Sequence, residues 1–461
     1  MPRGREPQPQ RNIGPSGEHP PAAFFLLGRA AAGAVLLGGV LAFLACDRPG
    51  STAAKPVSEV AAGPIAPADP ADVDGAPAGK WRRARSAAEP KETSLPGLRA
   101  IPYLQGYRPA EDRPRIRRID PGAWFEGLNF YVSGHAAEAV LMDMAGRELH
   151  RWRYPLRRLW PDLARDPTMA GLEYWRRAYL YPNGDLLGIY EGQGLVKLDA
   201  ASRVLWAHRG GIHHDLEVTE EGDIYVLDRD GKLIPRINPR EGVLEDMITL
   251  LDRNGRVKRR ISILAAFERS PFRGLLSGMP RSGDIFHTNT LELLDGRFAD
   301  RDPAFRKGNL LISVLKLDAI AIIDPRLERV VWARTGSFRR QHQPTFLDDG
   351  NLLLFDNTGP GPGRSRVVEI DPLSGRIVWQ YGGTAGADLF SKTLGSCQRL
   401  PNGDTLITES ENGRALEVTR AGRTVWEFNN PHRAGRRGEL VAVLFEMLRL
   451  PPAFPFPPGR R

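Results

Sequence analysis

Three residues fall at one repeated distance from a glycine and a fourth falls one place off it, and their types suit the handling of an anion. Arg176 lies eight residues before Gly184, His214 eight before Gly222, and His342 eight before Gly350; His287 lies nine before Gly296. Three of the chain's nine histidines and one arginine thus occupy matching places in separate segments. The fourth count of eight, from Gly403, reaches Gly395 and brings no functional group. A lone histidine at a strand start is more often a hydrogen-bonded structural residue. Several brought to one place make a cationic or metal-binding pocket. Asn289, two residues after His287 on the same side of an extended strand, adds a neutral donor. Lys316, expected on the strand that follows, could reach either the pocket or solvent. Arg offers a fixed fork, and His and Asn offer single directed donors, so the group suits an anion with several acceptor oxygens, such as a sulfate or phosphate ester. A neutral imidazole can also attack such a centre, and neighbouring cations help keep it unprotonated.

The elements that must position these residues repeat. An apolar strand ending in Asp, a turn and a strand carrying Trp recur in "AVLMDMAGRELHRW", "GLVKLDAASRVLWAH", "AIAIIDPRLERVVWAR", "RVVEIDPLSGRIVWQY" and "RALEVTRAGRTVWEF". "MITLLDRNGRVKRRI" keeps the shape without the Trp. All but the first follow a second hairpin with its own glycine turn, such as "YLYPNGDLLGIY" or "TFLDDGNLLLF". Two hairpins per repeat make a four-stranded antiparallel unit. Units of about forty residues burying one face on the next are the signature of a β-propeller. The count predicts an all-β, six-bladed β-propeller. Its innermost strands surround one axis, so the aligned residues share a channel. The first unit, from Asn129 to Trp152, lacks a leading hairpin; its missing strand is expected from elsewhere in the chain, closing the ring. Asn-Gly and Asp-Gly turns between period-2 strands argue against a helical solenoid.

Composition narrows the class further. The 461 residues include 49 glycines and 39 prolines, which favours many short strands joined by turns. The formal charge of +9 is spread over clusters such as "RPRIRR" and "RWRYPLRR", interleaved with apolar residues and without a nucleic-acid motif. No nucleic-acid partner is expected. The two cysteines, Cys46 and Cys397, have neither disulfide-framework nor zinc spacing.

At the start of the chain, Arg3, Arg5 and Arg11 precede "AAFFLLGRAAAGAVLLGGVLAFLAC", an apolar run broken only by Arg29. This predicts a transmembrane anchor or lipoprotein-type signal over residues 22–46, with 1–21 cytoplasmic and everything after Cys46 outside. Residues 47–95 form an Ala/Pro-rich linker. The propeller is expected over 96–435 and a short helical tail over 436–461, because "GELVAVLFEMLRL" has helical apolar spacing. The insertion "AAFERSPFRGLLSGMPRSG" before His287 suits either a flap over the channel mouth or an ordinary surface loop.

Taken together, "GLNFYVSG", "HHDLEV", "FHTNTLELL" and "QHQPTFLDDGNLLLFDN" leading to "SRVVEIDPLSGRIVW" resemble the bacterial arylsulfotransferases that work without a nucleotide sulfate donor. The resemblance spans about Gly127 to Asn430. It implies a six-bladed propeller with an axial site and a ping-pong transfer of a sulfuryl group from an aryl sulfate donor to a phenolic acceptor, through a sulfated histidine and with no cofactor. By resemblance His342 is the nucleophile, His214 a second site histidine, and His287 with Asn289 the pair that holds the sulfuryl oxygens. Lys316 stands where the family places an arginine. His213 is expected to point away from the axis by strand alternation. Three other readings remain open from the residues alone: histidines from different blades closing a metal site, a non-catalytic propeller that binds an anionic ligand or a partner protein, and a quinone-cofactor propeller.

Overall fold

The computed structural model describes residues 105–120, 122–163, 173–384 and 388–456. The expected anchor, its cytoplasmic lead and the linker lie outside them. Among the described residues no helix is long and apolar enough to cross a membrane.

The chain is all-β and propeller-like. Six sheets each contain four antiparallel strands taken in order. The leading strands of five are Trp175–Leu180, His213–Val218, Thr288–Leu293, His342–Phe346 and Ser396–Arg399. In the sixth sheet, Leu444–Leu450 pairs with Leu128–Ser133, which continues into Glu138–Met142 and Glu148–Arg153. The strand missing from the first repeat therefore comes from the segment expected to be a helical tail. That segment is strand because it is buried on both faces, with Met447 and Leu444 in one apolar cluster and Phe445 in another. A two-sided strand shows no alternation, so its apolar spacing imitates a helix.

The leading strands form a closed circuit: Leu444–Leu450 lies beside Trp175–Leu180, and contact passes on through the strands starting at His213, Thr288, His342 and Ser396 back to Leu444. Six apolar clusters fill the spaces between neighbouring sheets. The repeated tryptophans tie the same seams. Trp152 Nε1 donates to Gly184 O (2.9 Å), Trp206 to Arg253 O (3.0 Å), Trp379 to Arg420 O (2.8 Å) and Trp426 to Met144 O (3.0 Å), each a turn carbonyl of the adjoining sheet. An indole thus fills the seam with apolar area and satisfies its one donor at the rim.

The turns follow their sequence. In "FLDDGN", Leu347 N–H donates to Asn351 O (2.8 Å) and Gly350 takes φ +80°, a conformation that favours glycine. A three-stranded sheet of Gly106–Pro109, Leu440–Ala442 and Arg433–Ala434 lies apart from the six. The insertion before His287 forms the helix Ile263–Glu268, capped by Ser262, and a 3-10 turn Arg273–Gly278; its Phe267 is buried.

Candidate active site

The leading strands do not enter their sheets straight. The ladder loses register between Trp175 and Arg177, His213 and Leu216, Thr288 and Thr290, His342 and Thr345, and Leu444 and Glu446. Only Ser396–Arg399 pairs without a slip among the six. A bulge inserts backbone and re-aims side chains. Arg176, His214 and Asn289 all lie inside these slips. His214 (φ 53°), His287 (φ 51°) and Gln343 (φ 48°) take left-handed conformations, which non-glycine residues hold only where the surroundings fix them.

His342 is buried, and its ring is locked. Nδ1 lies 2.7 Å from Asn357 Oδ1 and 3.1 Å from Arg340 O. The Asn357 amide nitrogen donates to Ser391 O (2.6 Å) and Leu394 O (2.7 Å), so the oxygen of that amide must face the histidine. Nδ1 is therefore the protonated nitrogen, and Nε2 carries the lone pair. Nε2 is buried without a hydrogen-bond partner. Burial, resisted by the Asn357 hydrogen bond and reinforced by Arg176 and His287, pushes the pKa of His342 down to about 3. At neutral pH this is an uncharged imidazole with a free nucleophilic nitrogen. The flanking glutamines hold the backbone: Gln341 Nε2 donates to Ala319 O (2.8 Å) and Gln343 Nε2 to Glu446 Oε1 (3.0 Å).

Arg176 is buried, with its guanidinium 5.1 Å from the Phe445 ring centroid, and its charge acts on both His342 and His214. His214 meets His287 edge to face, ring centroids 5.0 Å apart. Burial, then Arg176 and His287, hold His214 well below the usual histidine range. Its backbone N–H donates to Glu191 Oε2 (3.1 Å), while Arg229 reaches the other Glu191 oxygen at 3.2 Å. His287 is bonded through Nδ1 to Asp284, which also accepts its backbone N–H at 2.9 Å. Burial would raise the Asp284 carboxyl, but the charge and hydrogen bond of His287, with Arg229 and Lys316, bring it down to about 2. The acid orients the ring as a carboxylate.

Asn289 spends a donor on the backbone just ahead of His342: Nδ2 donates to Gln341 O at 2.9 Å, and Oδ1 accepts from Thr290 (3.0 Å). It positions His342 as much as it faces a ligand. Lys316 is exposed in the 3-10 turn Leu315–Leu317, past the end of its strand, and its charge reaches Asp284. The structure thus links Arg176, His214, His287 and His342 through ring contacts and mutual charge effects, puts Asn289 behind His342, and leaves Lys316 at the margin.

Four contributors escaped the sequence reading: Asn357, Asp284, Glu191 and His213. Asn357 was signalled by the hairpin itself, since pairing outward from the Asp-Asp-Gly turn sets Phe355 opposite His342. Strand alternation sent His213 away from the site, yet it is buried with Nδ1 2.8 Å from Nδ1 of His214. The bulge that turns His214 makes the two neighbours share a side.

Among the described residues, two triads bring potential ligand atoms within 4.8 Å of one another: Glu191, His213 and His214, and His135, Glu138 and His432. The trio His214, His287 and His342 is not one of them. In the first triad the two Nδ1 atoms face each other across a hydrogen bond, and Arg229 already occupies Glu191. In the second, Glu138 is paired with His135 and Arg151, and the two imidazoles stack face to face at 3.5 Å. In both sets the potential ligand atoms are already engaged with one another or with an arginine.

The family model described as arylsulfotransferase (ASST) matches residues 188–431, more than half of the chain. No curated protein matches the chain in sequence. Solved structures similar to it include a protein of unknown function from Bacteroides caccae, 14% identical, covering 70% of this chain and 98% of that one with a TM-score of 0.44. A streptogramin B lyase is 12% identical over 76% of this chain and 98% of its own, TM-score 0.40. A virginiamycin B lyase from Staphylococcus aureus is 10% identical over 55% and 69%, TM-score 0.34.

Proposed function

The chain belongs to the arylsulfotransferase family, and from that premise we propose that it moves a sulfuryl group from an aryl sulfate ester to a phenolic acceptor by way of a sulfated His342. The observation that carries this reading is the locked ring of His342, whose Nδ1–H is held by Asn357 and whose Nε2 is left without a partner. The six four-stranded sheets are then the blades of a six-bladed propeller, and the site lies where their leading strands meet.

In the first half-reaction Nε2 of His342 forms a bond to sulfur as the bond between sulfur and the aryl oxygen breaks. The attacking nitrogen carries no proton, so the step needs no base. The sulfated ring becomes an imidazolium, and Asn357 Oδ1 accepts a stronger hydrogen bond from its Nδ1–H. Arg176 supplies fixed positive charge to the sulfuryl oxygens, and His287, its ring oriented by Asp284, lines the same site. His214 gives a proton to the departing phenol oxygen. In the second half-reaction it takes one from the acceptor phenol as that oxygen bonds to sulfur and the nitrogen–sulfur bond breaks. A neutral imidazole suits the attacking role, because it offers its lone pair without first losing a proton.

The same proposal places the domain outside the cytoplasmic membrane, held by residues 22–46; Arg3, Arg5 and Arg11 ahead of the apolar run support that orientation. Incubating the purified protein with 4-nitrophenyl sulfate and a phenol tests the activity. Transfer is expected from the natural sequence and none from His342→Asn. Undiminished transfer by that variant would overturn the assignment.

A further inference from the structure

His214 has to lend a proton where a charged imidazole is costly and recover it half a cycle later. The environment behind it is built for the exchange. His213 Nδ1 and His214 Nδ1 lie 2.8 Å apart in a buried position. At the far side of the His213 ring, Nε2 is buried without a hydrogen-bond partner and 3.9 Å from Asp246 Oδ1. The other Asp246 oxygen accepts the backbone N–H of Thr288, next to His287, at 2.7 Å. In the ladder Asp246 stands directly opposite Arg229. His213, moreover, pairs with Leu227 at the entry of its sheet as His342 pairs with Phe355 in its own. The residue set aside by alternation holds the counterpart of the nucleophile's place.

We propose that His213 and Asp246 form a proton relay behind His214, so that the proton lent to the departing phenol is replaced from Asp246 through two neutral imidazoles; this rests on the reading of the site as a sulfuryl-transfer centre. At rest, Asp246 carries its proton, His213 carries one on Nδ1, and His214 carries one on Nε2. As the aryl oxygen leaves sulfur it takes the His214 Nε2 proton. His214 Nδ1 takes the His213 Nδ1 proton, and His213 Nε2 takes the proton of Asp246. Each bond to hydrogen that breaks is matched by one that forms. The negative charge of the phenolate ends on Asp246, opposite Arg229, and neither imidazole becomes charged. The acceptor phenol runs the sequence backwards.

The groups facing His213 agree with this. Burial, then Arg229 and His287, disfavour its cation, while Asp284 and the Asp228 carbonyl act the other way; Glu191 lies on the His214 side. Burial, then the charge of Asp284, raises the Asp246 carboxyl to about 7, so it can hold a proton or release one. Both residues are positioning residues: they act through His214 and touch no substrate.

The test compares two donors whose phenols differ in acidity. Phenol release in a single turnover is followed for 4-nitrophenyl sulfate, whose leaving group departs readily as an anion, and for phenyl sulfate, whose leaving group needs the proton. In His213→Gln and Asp246→Asn the loss with phenyl sulfate is expected to exceed the loss with 4-nitrophenyl sulfate by on the order of 10²-fold. Equal losses with both donors, or no loss, overturn the relay while leaving the transfer reading intact. Absence of release from either donor by the unaltered protein overturns the transfer reading and the relay with it. Asp246→Asn keeps the shape of the side chain, so the comparison stands even if His213→Gln does not fold.

Discussion

Two kinds of leading strand meet at the centre of this protein. The strand Ser396–Arg399 enters its sheet in register. Its count-equivalent residue is Gly395, where a Cβ would lie 2.6 Å from the Phe355 ring. The strands beginning at Trp175, His213, Thr288 and His342 each slip, and at or beside each slip is a residue of the candidate site. The straight strand serves packing. The slipped ones give up regular ladder bonds to aim an arginine, an amide or an imidazole. A bulge is therefore a better marker of function here than residue type alone. The strand starting at Leu444 limits the rule, because its slip brings Glu446 to Gln343 and Arg177 and so supports the His342 strand instead of adding to the site.

The contrast can be broken or sharpened by substitution. The largest effect is expected on a slipped strand: His342→Asn should lower transfer by on the order of 10³-fold or more, measured as phenol release under saturating donor. Asn357→Leu comes next. It removes the acceptor that fixes the tautomer, and kcat should fall by on the order of 10²-fold. It also strands Leu394 O and takes one of two donors from Ser391 O, so a stability loss of about 1–3 kcal/mol should appear in denaturant melts. A variant with full kcat would show that the lock is not needed.

Acid should divide the two kinds of strand next. His342 titrates at about 3 in the folded state against about 6.5 when unfolded, so its contribution is fully present above pH 6.5 and is lost as pH falls towards 3. The histidines at 213 and 214 shift in the same direction. From pH 6.5 to 4.5 His342 alone should cost about 2–3 kcal/mol, and His342→Asn should flatten that slope. Glu292 opposes this trend at the other end: burial raises its pKa to about 8, so its contribution is present at low pH and is lost as pH rises through 8. Hydrogen exchange at pH 5 should open the His213 and His342 strands before Ser396–Arg399; the reverse order would contradict the comparison. The smallest effect belongs to the straight strand. Cys397→Ala should cost about 1 kcal/mol of stability while transfer per folded molecule is retained.

Much of this architecture was legible because its signals are local. Glycine turns and period-2 strands marked the hairpins, and the repeated Trp marked the seam it fills. The closing strand was misread as a helix because Leu444–Leu450 is covered on both sides and shows no alternation. In the site, counting from the turn glycine found Arg176, His214 and His342, since hairpin length fixes that distance. It missed His213, because a bulge lets two consecutive residues share a side. It missed Asn357 and Asp284, whose roles come from pairing across a hairpin and from a short strand, Gly283–Asp284, laid parallel to Val243–Leu251 after the insertion. For Lys316 the sequence left pocket and solvent equally open; the chain leaves its strand at Val314 and the lysine is exposed.

The ring is closed by a strand that the ribosome makes more than 300 residues after the one it joins, Leu444 following Leu128 and pairing at Ser133. Until then Leu128–Ser133 has a bare edge, and Gln343 and Arg177 lack Glu446. Nascent chains that stop short of Leu444 would carry His342, Asn357 and Arg176 without a finished ring to hold them. Synthesis itself thus acts as a checkpoint: a product that stops short of Leu444–Leu450 keeps one bare edge, and only a chain that includes that strand can close the ring.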